Sequence, residues 1–195
     1  MSRSAEIQRK TKETEVQVRL DLDQQGKVKA DSGVGFLDHM LTHVAVHGFA
    51  SLEVEATGDL HIDDHHTVED VGIALGQALS EALGDRAGIC RFGEALVPMD
   101  EALAQVAIDL SGRAHLSYND SLQPGKIGGV DTELFREFFE AFVRTAGATL
   151  HVRVLSGRNA HHVIEAVFKA FGRALDAATQ MEPRRSGVPS TKGSL

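Results

Sequence analysis

The sequence is poor in cysteine, proline and tryptophan and has no long hydrophobic run. Its 195 residues include one cysteine, four prolines and no tryptophan. A single cysteine, Cys90, excludes an internal disulfide, and we interpret it as a small apolar side chain at the end of a helix. No apolar run is long enough to cross a membrane, and the opening segment MSRSAEIQRKTKETEV lacks the apolar core of a signal peptide. We therefore expect a cytoplasmic protein with no membrane partner.

Acidic residues outnumber basic residues in this chain. Lysine and arginine total 20 against 28 aspartates and glutamates, which gives a formal net charge of −8 at pH 7. Binding to a nucleic-acid backbone needs clustered lysine and arginine, so nucleic acid is not an expected partner. The 42% of hydrophobic and 25% of charged residues are ordinary for a globular protein that buries one core or two small halves.

The pattern HHxxE is present twice, within DDHHTVED and within NAHHVIEA. Apolar residues recur every three to four positions after each copy, so each copy is predicted to begin a buried helix. Side chains four residues apart share one helix face. His65 can therefore converge with Glu69 on a metal ion, and His161 can do the same with Glu165.

The second histidine of each copy, His66 or His162, projects about 100° away from the first on a helix. It is therefore expected to face a second metal, or a site shared between two copies of the motif. A single HHxxE can simply be a pair of exposed histidines at a helix start, but two copies in one chain argue against that alternative.

Both motifs belong to a longer internal repeat. His65, His66 and Glu69 correspond to His161, His162 and Glu165 at an offset of 96 residues. In the same way FLDHML corresponds to LFREFF at an offset of 98. The chain is therefore interpreted as a tandem duplication.

Alternating and helical patterns of apolar residues predict strand, strand, helix, strand and helix in each half. The strands through 16–22 and 28–30 are predicted to form a hairpin around a turn at 24–27. We predict an α/β (α+β) fold in which helices pack between two mixed sheets. The predicted organisation is one domain over 1–195, with two pseudo-repeats at about 1–90 and 91–180 and a tail at 181–195.

The first predicted helix carries His39, His43 and His47 at four-residue spacing, which places them in one stripe. We expect at least one of them to reach the metal site. His43 taken alone is interpreted as a solvated polar side chain.

The C-terminal segment PRRSGVPSTKGSL has no hydrophobic period. Chain ends of this kind are often disordered, yet the hydroxyl and ammonium groups of Ser190, Thr191 and Lys192 are the donors that a phosphate requires. We interpret the segment as an ordered anion clamp.

Four segments together carry a resemblance to a known family: FLDHM, DDHHTVED, NAHHVIEAVFKAFGRAL and PSTKG. In this order, over essentially the whole chain, they resemble the imidazoleglycerol-phosphate dehydratase family of histidine biosynthesis. The resemblance implies a hydro-lyase that converts imidazole glycerol phosphate to imidazole acetol phosphate. It also implies a duplicated fold of the ribosomal protein S5 domain 2 type. Two manganese ions per chain, in sites shared between subunits of a 24-subunit shell built from trimers, are implied as well.

The resemblance extends to individual residues. It implies metal ligands at His39, His65, His66, Glu69, His161, His162 and Glu165. It implies substrate contacts at Glu13, His39, His47, His65, Glu69, Arg91, Arg113, His161, Lys169, Ser190 and Lys192, to which the anion clamp adds Thr191. The residues considered for catalysis are Glu13, His47, Glu69 and Glu165.

The chemistry explains these residue types. The hydrogen to be removed is not next to a carbonyl, so the imidazole ring must supply electrons. A divalent ion on one ring nitrogen acidifies the other N–H, and the imidazolate-like ring can expel the hydroxyl through a diazafulvene-like intermediate. Glu13 is then a candidate general acid or base, although a lone surface carboxylate is the alternative. Mixed histidine and glutamate ligation suits manganese, iron, cobalt, nickel or zinc.

One position departs from the family pattern. Many members have a histidine ligand where this chain has Glu137, in LFREFFEAF. The internal repeat places Glu137 opposite His39, and a carboxylate oxygen can replace an imidazole nitrogen at a divalent ion. Glu137 is therefore predicted to be an eighth metal ligand, against the alternative of an ordinary surface carboxylate.

Two other classes of function use the same residue types. A dinuclear metallohydrolase acting on a small phosphorylated metabolite would also need two metals and a bridging water. A metal-storing or structural shell subunit would need only the ligands. The predicted anion clamp argues against storage.

Overall fold

The structure of the protein is a computed structural model, which describes residues 3–119, 122 and 124–193. The last two residues of the predicted tail therefore lie outside the described residues. The first half of the chain contains β1 (Ser4–Lys10), β2 (Thr14–Asp21), β3 (Val28–Asp31), α1 (Gly35–His47), β4 (Ser51–Gly58) and α2 (His65–Leu83). The second half contains β5 (Phe92–Met99), β6 (Ala102–Asp109), β7 (His115–Asn119), β8 (Lys126–Ile127), β9 (Val130–Asp131), α3 (Leu134–Ala146), β10 (Thr149–Ser156) and α4 (Ala160–Thr179).

Two four-stranded sheets have the same topology. Their strand orders are β1-β2-β4-β3 and β5-β6-β10-β7, and in each the last pair is parallel while the others are antiparallel. The central pairing also repeats, since Val18 lies opposite Val54 in one sheet and Val106 opposite Val152 in the other. The predicted α/β (α+β) fold, with a duplicated half-domain and mixed sheets, is confirmed.

One buried core draws residues from both halves. The inward-facing residues of β2, β4, β6 and β10 alternate with more exposed ones, as expected for a sheet with one buried face. Helix α2 packs on β1 and β2 and also against α3, whereas α4 packs on β5 and β6 and also against α1. The helices therefore form the layer between the sheets. Six fully buried phenylalanines of α3 and α4 fill much of that layer: Phe135, Phe138, Phe139, Phe142, Phe168 and Phe171.

The helices cross at two closely packed glycines. A Cβ atom on Gly172 of α4 would lie 2.7 Å from the backbone oxygen of Val44 in α1. A Cβ atom on Gly76 of α2 would lie 2.5 Å from the backbone oxygen of Phe142 in α3. These distances are shorter than carbon–oxygen van der Waals contact, so only glycine fits at either crossing. Gly76 and Gly172 are equivalent in the duplication, as are Val44 and Phe142.

The predicted hairpin of 16–22 with 28–30 is wrong. β2 pairs with β1 and β4, whereas β3 runs parallel to β4 at the edge of the sheet. Strands β1 and β5 were not predicted because each is an edge strand without a fully buried residue, which leaves a weak apolar pattern. Glu13 lies in the turn between β1 and β2. Among the residues described, no helix is long and apolar enough to span a membrane.

Candidate functional site

The carboxylate of Glu165, near the start of α4, is the centre of a cluster of polar side chains. Its side chain is 7% exposed. His39 and His43, one turn apart on α1, face it across the helix crossing. The Nε2 atom of His39 lies 3.3 Å from Oε2 of Glu165, and Nε2 of His43 lies 3.4 Å from Oε1. The two imidazole Nε2 atoms are 3.3 Å apart.

Two neighbours on α4 complete the surroundings of this carboxylate. His161 Nε2 lies 3.0 Å from Oε2 of Glu165, and Lys169 donates to Oε1 at 2.6 Å. The spacing of four residues on either side of Glu165 places both on its helix face, as predicted for His161. Burial alone would raise the pKa of Glu165, but the hydrogen bond from Lys169 and the field of His43 outweigh it and lower this pKa to about 2.

His43 differs from its interpretation as a solvated side chain. Only 17% of the side chain is exposed, because α1 and α4 close over it. Burial lowers the pKa of His43 to about 4, and the neighbouring His39, Lys169 and His47 act in the same direction. The imidazole is therefore neutral at pH 7 and retains a lone pair for a metal. The four-residue spacing from His39 was the signal for this role in the sequence.

His39, His43 and Glu165 could hold a metal ion together, since their donor atoms lie within 4.8 Å of one another. Two imidazole nitrogens and a carboxylate oxygen suit a borderline divalent ion such as manganese, iron or zinc. In the part of the chain that the structure describes, this is the one group of three or more such side chains. The residues present therefore fit a divalent metal.

The first HHxxE motif makes different contacts. His65 Nε2 lies 3.9 Å from Glu69, and Glu69 accepts a hydrogen bond of 2.9 Å from Arg144 of α3. Glu137 lies on α3 in a half-buried position, beside a surface cavity that is also lined by Arg136. Within one chain, the structure does not bring these residues together with the group around Glu165.

The second histidine of each motif contacts a carboxylate outside the motif. His66 Nδ1 lies 3.0 Å from Oδ2 of Asp59, and His162 Nδ1 lies 2.7 Å from Oε2 of Glu101. These contacts raise the pKa of both histidines. Asp59 and Glu101 were not singled out from the sequence, because a loop residue that approaches a helix start has no periodic pattern.

Two further predicted residues flank the helix starts. Glu13 is exposed, and its turn is held against α2 by Asp70, which accepts hydrogen bonds from Arg9 at 2.9 Å and from Thr14. His47 stacks on His43 with ring centroids 5.7 Å apart. Burial, together with the positive charge of nearby lysine and arginine, lowers the pKa of His47.

The described part of the C-terminal tail returns to the second sheet and forms one wall of a basic cavity. Gly88 donates to the backbone oxygen of Gly187, and Arg91 donates to that of Pro189 at 2.7 Å. Arg91 is held in place by two hydrogen bonds to Asp109, of 2.7 and 3.1 Å. The cavity is lined by Arg91, Phe92, Arg113, Arg185, Val188, Pro189, Ser190, Thr191 and Lys192.

Comparisons with known proteins agree with each other. Residues 32–175 match the family model for imidazoleglycerol-phosphate dehydratase. An imidazoleglycerol-phosphate dehydratase of Synechococcus sp. (strain WH7803) is 61% identical over 196 residues, covering 100% of this chain and 97% of that protein. One of Gloeobacter violaceus is 56% identical over 194 residues, covering 99% of this chain and 98% of that protein.

Two solved structures are also similar. The crystal structure of imidazoleglycerol-phosphate dehydratase from Staphylococcus aureus has a TM-score of 0.83 at 44% identity, covering 92% of this chain and 99% of that chain. The structure of IGPD from Pyrococcus furiosus in complex with (S)-C348 has a TM-score of 0.84 at 39% identity, covering 97% of this chain and 100% of that chain.

Replacing Lys169 tests the charge balance at Glu165. In metal-free protein, Lys169→Met should lower the free energy of unfolding at pH 7 by about 2 kcal/mol, because a largely buried carboxylate loses its closest cation. The pKa of Glu165, about 2, lies below the ordinary 4.5. Its stabilisation is therefore fully present above 4.5 and is lost as the pH falls toward 2. In denaturant titrations of chelator-treated protein, the difference at pH 3 should be smaller than the difference at pH 7.

Lys10→Met is the matched control, because Lys10 pairs with Glu15 where both side chains are exposed. This change should alter stability by less than about 0.5 kcal/mol at either pH. Equal stability of Lys169→Met and the wild type at pH 7 would mean that Lys169 does not balance Glu165.

Proposed function

The chain belongs to the imidazoleglycerol-phosphate dehydratase family, and we propose that it carries out this dehydration of histidine biosynthesis with a bound divalent metal. Family membership makes it a hydro-lyase. The finer proposal is that imidazole glycerol phosphate is converted to imidazole acetol phosphate in the cytoplasm. One observation supports the proposed metal dependence: the donor atoms of His39, His43 and Glu165 lie within 4.8 Å of one another.

We propose that His39, His43, His161 and Glu165 hold the first ion, with manganese as the expected metal. When bound, a divalent ion would act as a Lewis acid toward a nitrogen of the substrate's imidazole ring. The protein's own contribution is preorganisation, since both imidazoles of α1 already face Glu165. Lys169 is proposed to contact the substrate and to balance the carboxylate.

A second ion per chain is proposed for the remaining motif residues, in sites completed by other subunits. The two histidines of each motif support this, because they have separate partners. His161 contacts Glu165 while His162 contacts Glu101. His65 and His66 likewise face Glu69 and Asp59. Side chains that point apart on one chain can join a common site only if another copy supplies the missing ligands. A shell of 24 subunits built from trimers is the proposed assembly.

The basic cavity at the tail is proposed to bind the substrate phosphate. Arg91, Arg113 and Lys192 provide cationic donors, and Ser190 and Thr191 provide hydroxyl groups. Asp109 holds Arg91 rigidly, so the phosphate would be bound by a preoriented fork. The chain would then act as one domain over 1–195, in which repeats at about 1–90 and 91–180 bear the metals and the tail at 181–195 binds the phosphate.

Proton transfer is proposed for Glu13 and His47. Glu13 is exposed in a turn anchored to α2 through Asp70, so it can reach substrate without being a metal ligand. The lowered pKa of His47 keeps its imidazole neutral at pH 7, when it can accept a proton. Glu69 and Glu165 are the other carboxylates proposed to lie close to the substrate ring. They are candidates for proton transfer in addition to their proposed role as metal ligands.

Glu137 is proposed to be a ligand of the second ion. Helices α2 and α3 cross at Gly76 as helices α4 and α1 cross at Gly172, so α2 corresponds to α4 and α3 corresponds to α1. Glu137 therefore occupies the helix position relative to Glu69 that His39 occupies relative to Glu165. A divalent ion bound by both carboxylates would add to the positive charge that Arg144 supplies to Glu69.

Removing the metal tests the proposed function directly. Chelator-treated protein should lose the activity measured by an ultraviolet assay for the acetol product, and Mn²⁺ should restore it. It should also elute later from a sizing column, because the shared sites hold subunits together. Phosphate release should stay at background throughout. Release of phosphate would favour the metallohydrolase, and unchanged activity and size after full demetallation would contradict the metal sites.

Lys192→Ala should raise KM for the substrate at least about tenfold, because one charge-assisted hydrogen bond to phosphate contributes about 1.5–3 kcal/mol. Metal content and unfolding temperature should not change, since this side chain is exposed and adds nothing to the core. Lys27→Ala, at another exposed lysine, is the control. Steady-state kinetics that match the wild type would exclude Lys192 from the phosphate site.

Glu137→Ala should lower the affinity for one of two ions per chain, whereas Glu137→His should retain both ions. Glu140→Ala is the control, one turn further on α3 and exposed. Metal analysis by competition with a chelator distinguishes the variants. Two ions bound with wild-type affinity in Glu137→Ala would assign Glu137 to the surface.

A further inference from the structure

Glu101 makes contacts with two parts of the second motif helix. It lies in the turn between β5 and β6, next to the first residue of β6. Its Oε2 atom lies 2.7 Å from Nδ1 of His162. Its Oε1 atom accepts hydrogen bonds from the backbone N–H groups of Arg158, at 3.1 Å, and Asn159, at 2.8 Å. One carboxylate therefore fixes the start of α4 with one oxygen and an imidazole with the other.

Asp59 makes the corresponding contact in the first half. Both of its carboxylate oxygens lie near Nδ1 of His66, at 3.0 and 3.2 Å. Its side chain is largely buried, so the carboxylate has little freedom to turn away. In both motifs the second histidine thus presents Nδ1 to a carboxylate.

The two carboxylates do not correspond to each other in the duplication. Asp59 directly follows β4, whereas Glu101 precedes β6. The counterpart of Glu101 in the first half is Glu13, because each directly precedes the equivalent strand β2 or β6. The same imidazole contact has therefore been built twice from different loops. A contact that was only inherited with the duplicated scaffold would come from the same loop in both halves.

The chemical effect of this contact falls on the other ring nitrogen. A neutral imidazole carries one proton, and a carboxylate at Nδ1 keeps that proton on Nδ1. Nε2 is then left with its lone pair, and the ring is held in one orientation. Carboxylates in this position on metal-binding histidines increase the basicity of the ligand, and their loss typically costs 10–100-fold in metal affinity.

We propose that Glu101 and Asp59 are positioning residues that hold His162 and His66 with the Nε2 lone pair available to a metal. In His162 the exposed carboxylate of Asp100 lies 3.8 Å from Nε2 and could share that ion. The inference rests on the proposed function, in that these histidines are taken to bind the second ion. Both carboxylates lie in loops outside the two HHxxE motifs, and the proposal gives them a role in metal affinity.

Glu101→Gln separates the two contacts of Glu101. The amide oxygen can still accept the N–H groups of Arg158 and Asn159, so the start of α4 is preserved. The amide NH₂ group would then face Nδ1 of His162, which favours the tautomer with the proton on Nε2. We expect a 10–100-fold loss of Mn²⁺ affinity for one ion per chain, measured on the full chain by competition with a chelator. The unfolding midpoint of the metal-free protein should stay within about 2 °C of the wild type.

Glu94→Gln is the matched control, because it removes the same charge from an exposed position on the strand before the turn. Its Mn²⁺ affinity should equal that of the wild type. Asp59→Asn should reproduce the loss through His66. In a His162→Ala background, adding Glu101→Gln should cause less than a threefold further loss, because its effect passes through that ring.

The outcomes separate the inference from the proposed function. Wild-type protein that binds no divalent ion would overturn the proposed metal dependence and this inference with it. Wild-type binding together with unchanged affinity in Glu101→Gln and Asp59→Asn would overturn the inference alone. A full loss from Glu101→Gln in the His162→Ala background would also overturn it, because Glu101 would then act by another route.

Discussion

The close crossing of α1 and α4 at Gly172 is the constraint on which the candidate site depends. Helix backbones that nearly touch there leave no room for a Cβ atom. Within the two turns before the crossing, the same two helices present His39 and His43 on one side and Glu165 on the other. A wider separation would move the imidazoles out of reach of the carboxylate. Packing between helices thus sets the distances of the polar cluster.

The carboxylate of Glu165 is buried beside this crossing, and the side chains around it compensate for its lost contact with water. A carboxylate that is largely removed from water is costly unless it is paired. Lys169 supplies the nearest charge, and the three imidazoles that face Glu165 add polar neighbours. The net effect is that Glu165 stays ionised well into the acid range. The site therefore keeps a negative carboxylate beside the neutral imidazole of His43 near pH 7, which is a combination that suits a divalent cation.

Much of the fold was predictable because it is duplicated and periodic. The two HHxxE motifs, their helices and the central strands were predicted from spacing alone, and Glu165 and His161 do converge as the four-residue spacing required. Edge strands β1 and β5 have too little apolar contrast to be recognised. The burial of His43 depends on a neighbouring helix, and the contacts of Asp59 and Glu101 depend on loop geometry. Neither property is encoded in a local pattern.

The duplication has preserved the scaffold while changing its charges. Lys169, which balances Glu165, corresponds to Ile73 in the first half, and there Glu69 is paired instead with Arg144 from α3. His39 likewise corresponds to Glu137. The second motif helix thus forms with α1 a group that could bind a metal within one chain, whereas in the first Glu69 contacts His65 and an arginine of α3. Equivalent backbones with unequal charge therefore give two groups of different character: the second holds a buried carboxylate among imidazoles and a lysine, and the first holds a half-buried carboxylate beside an arginine.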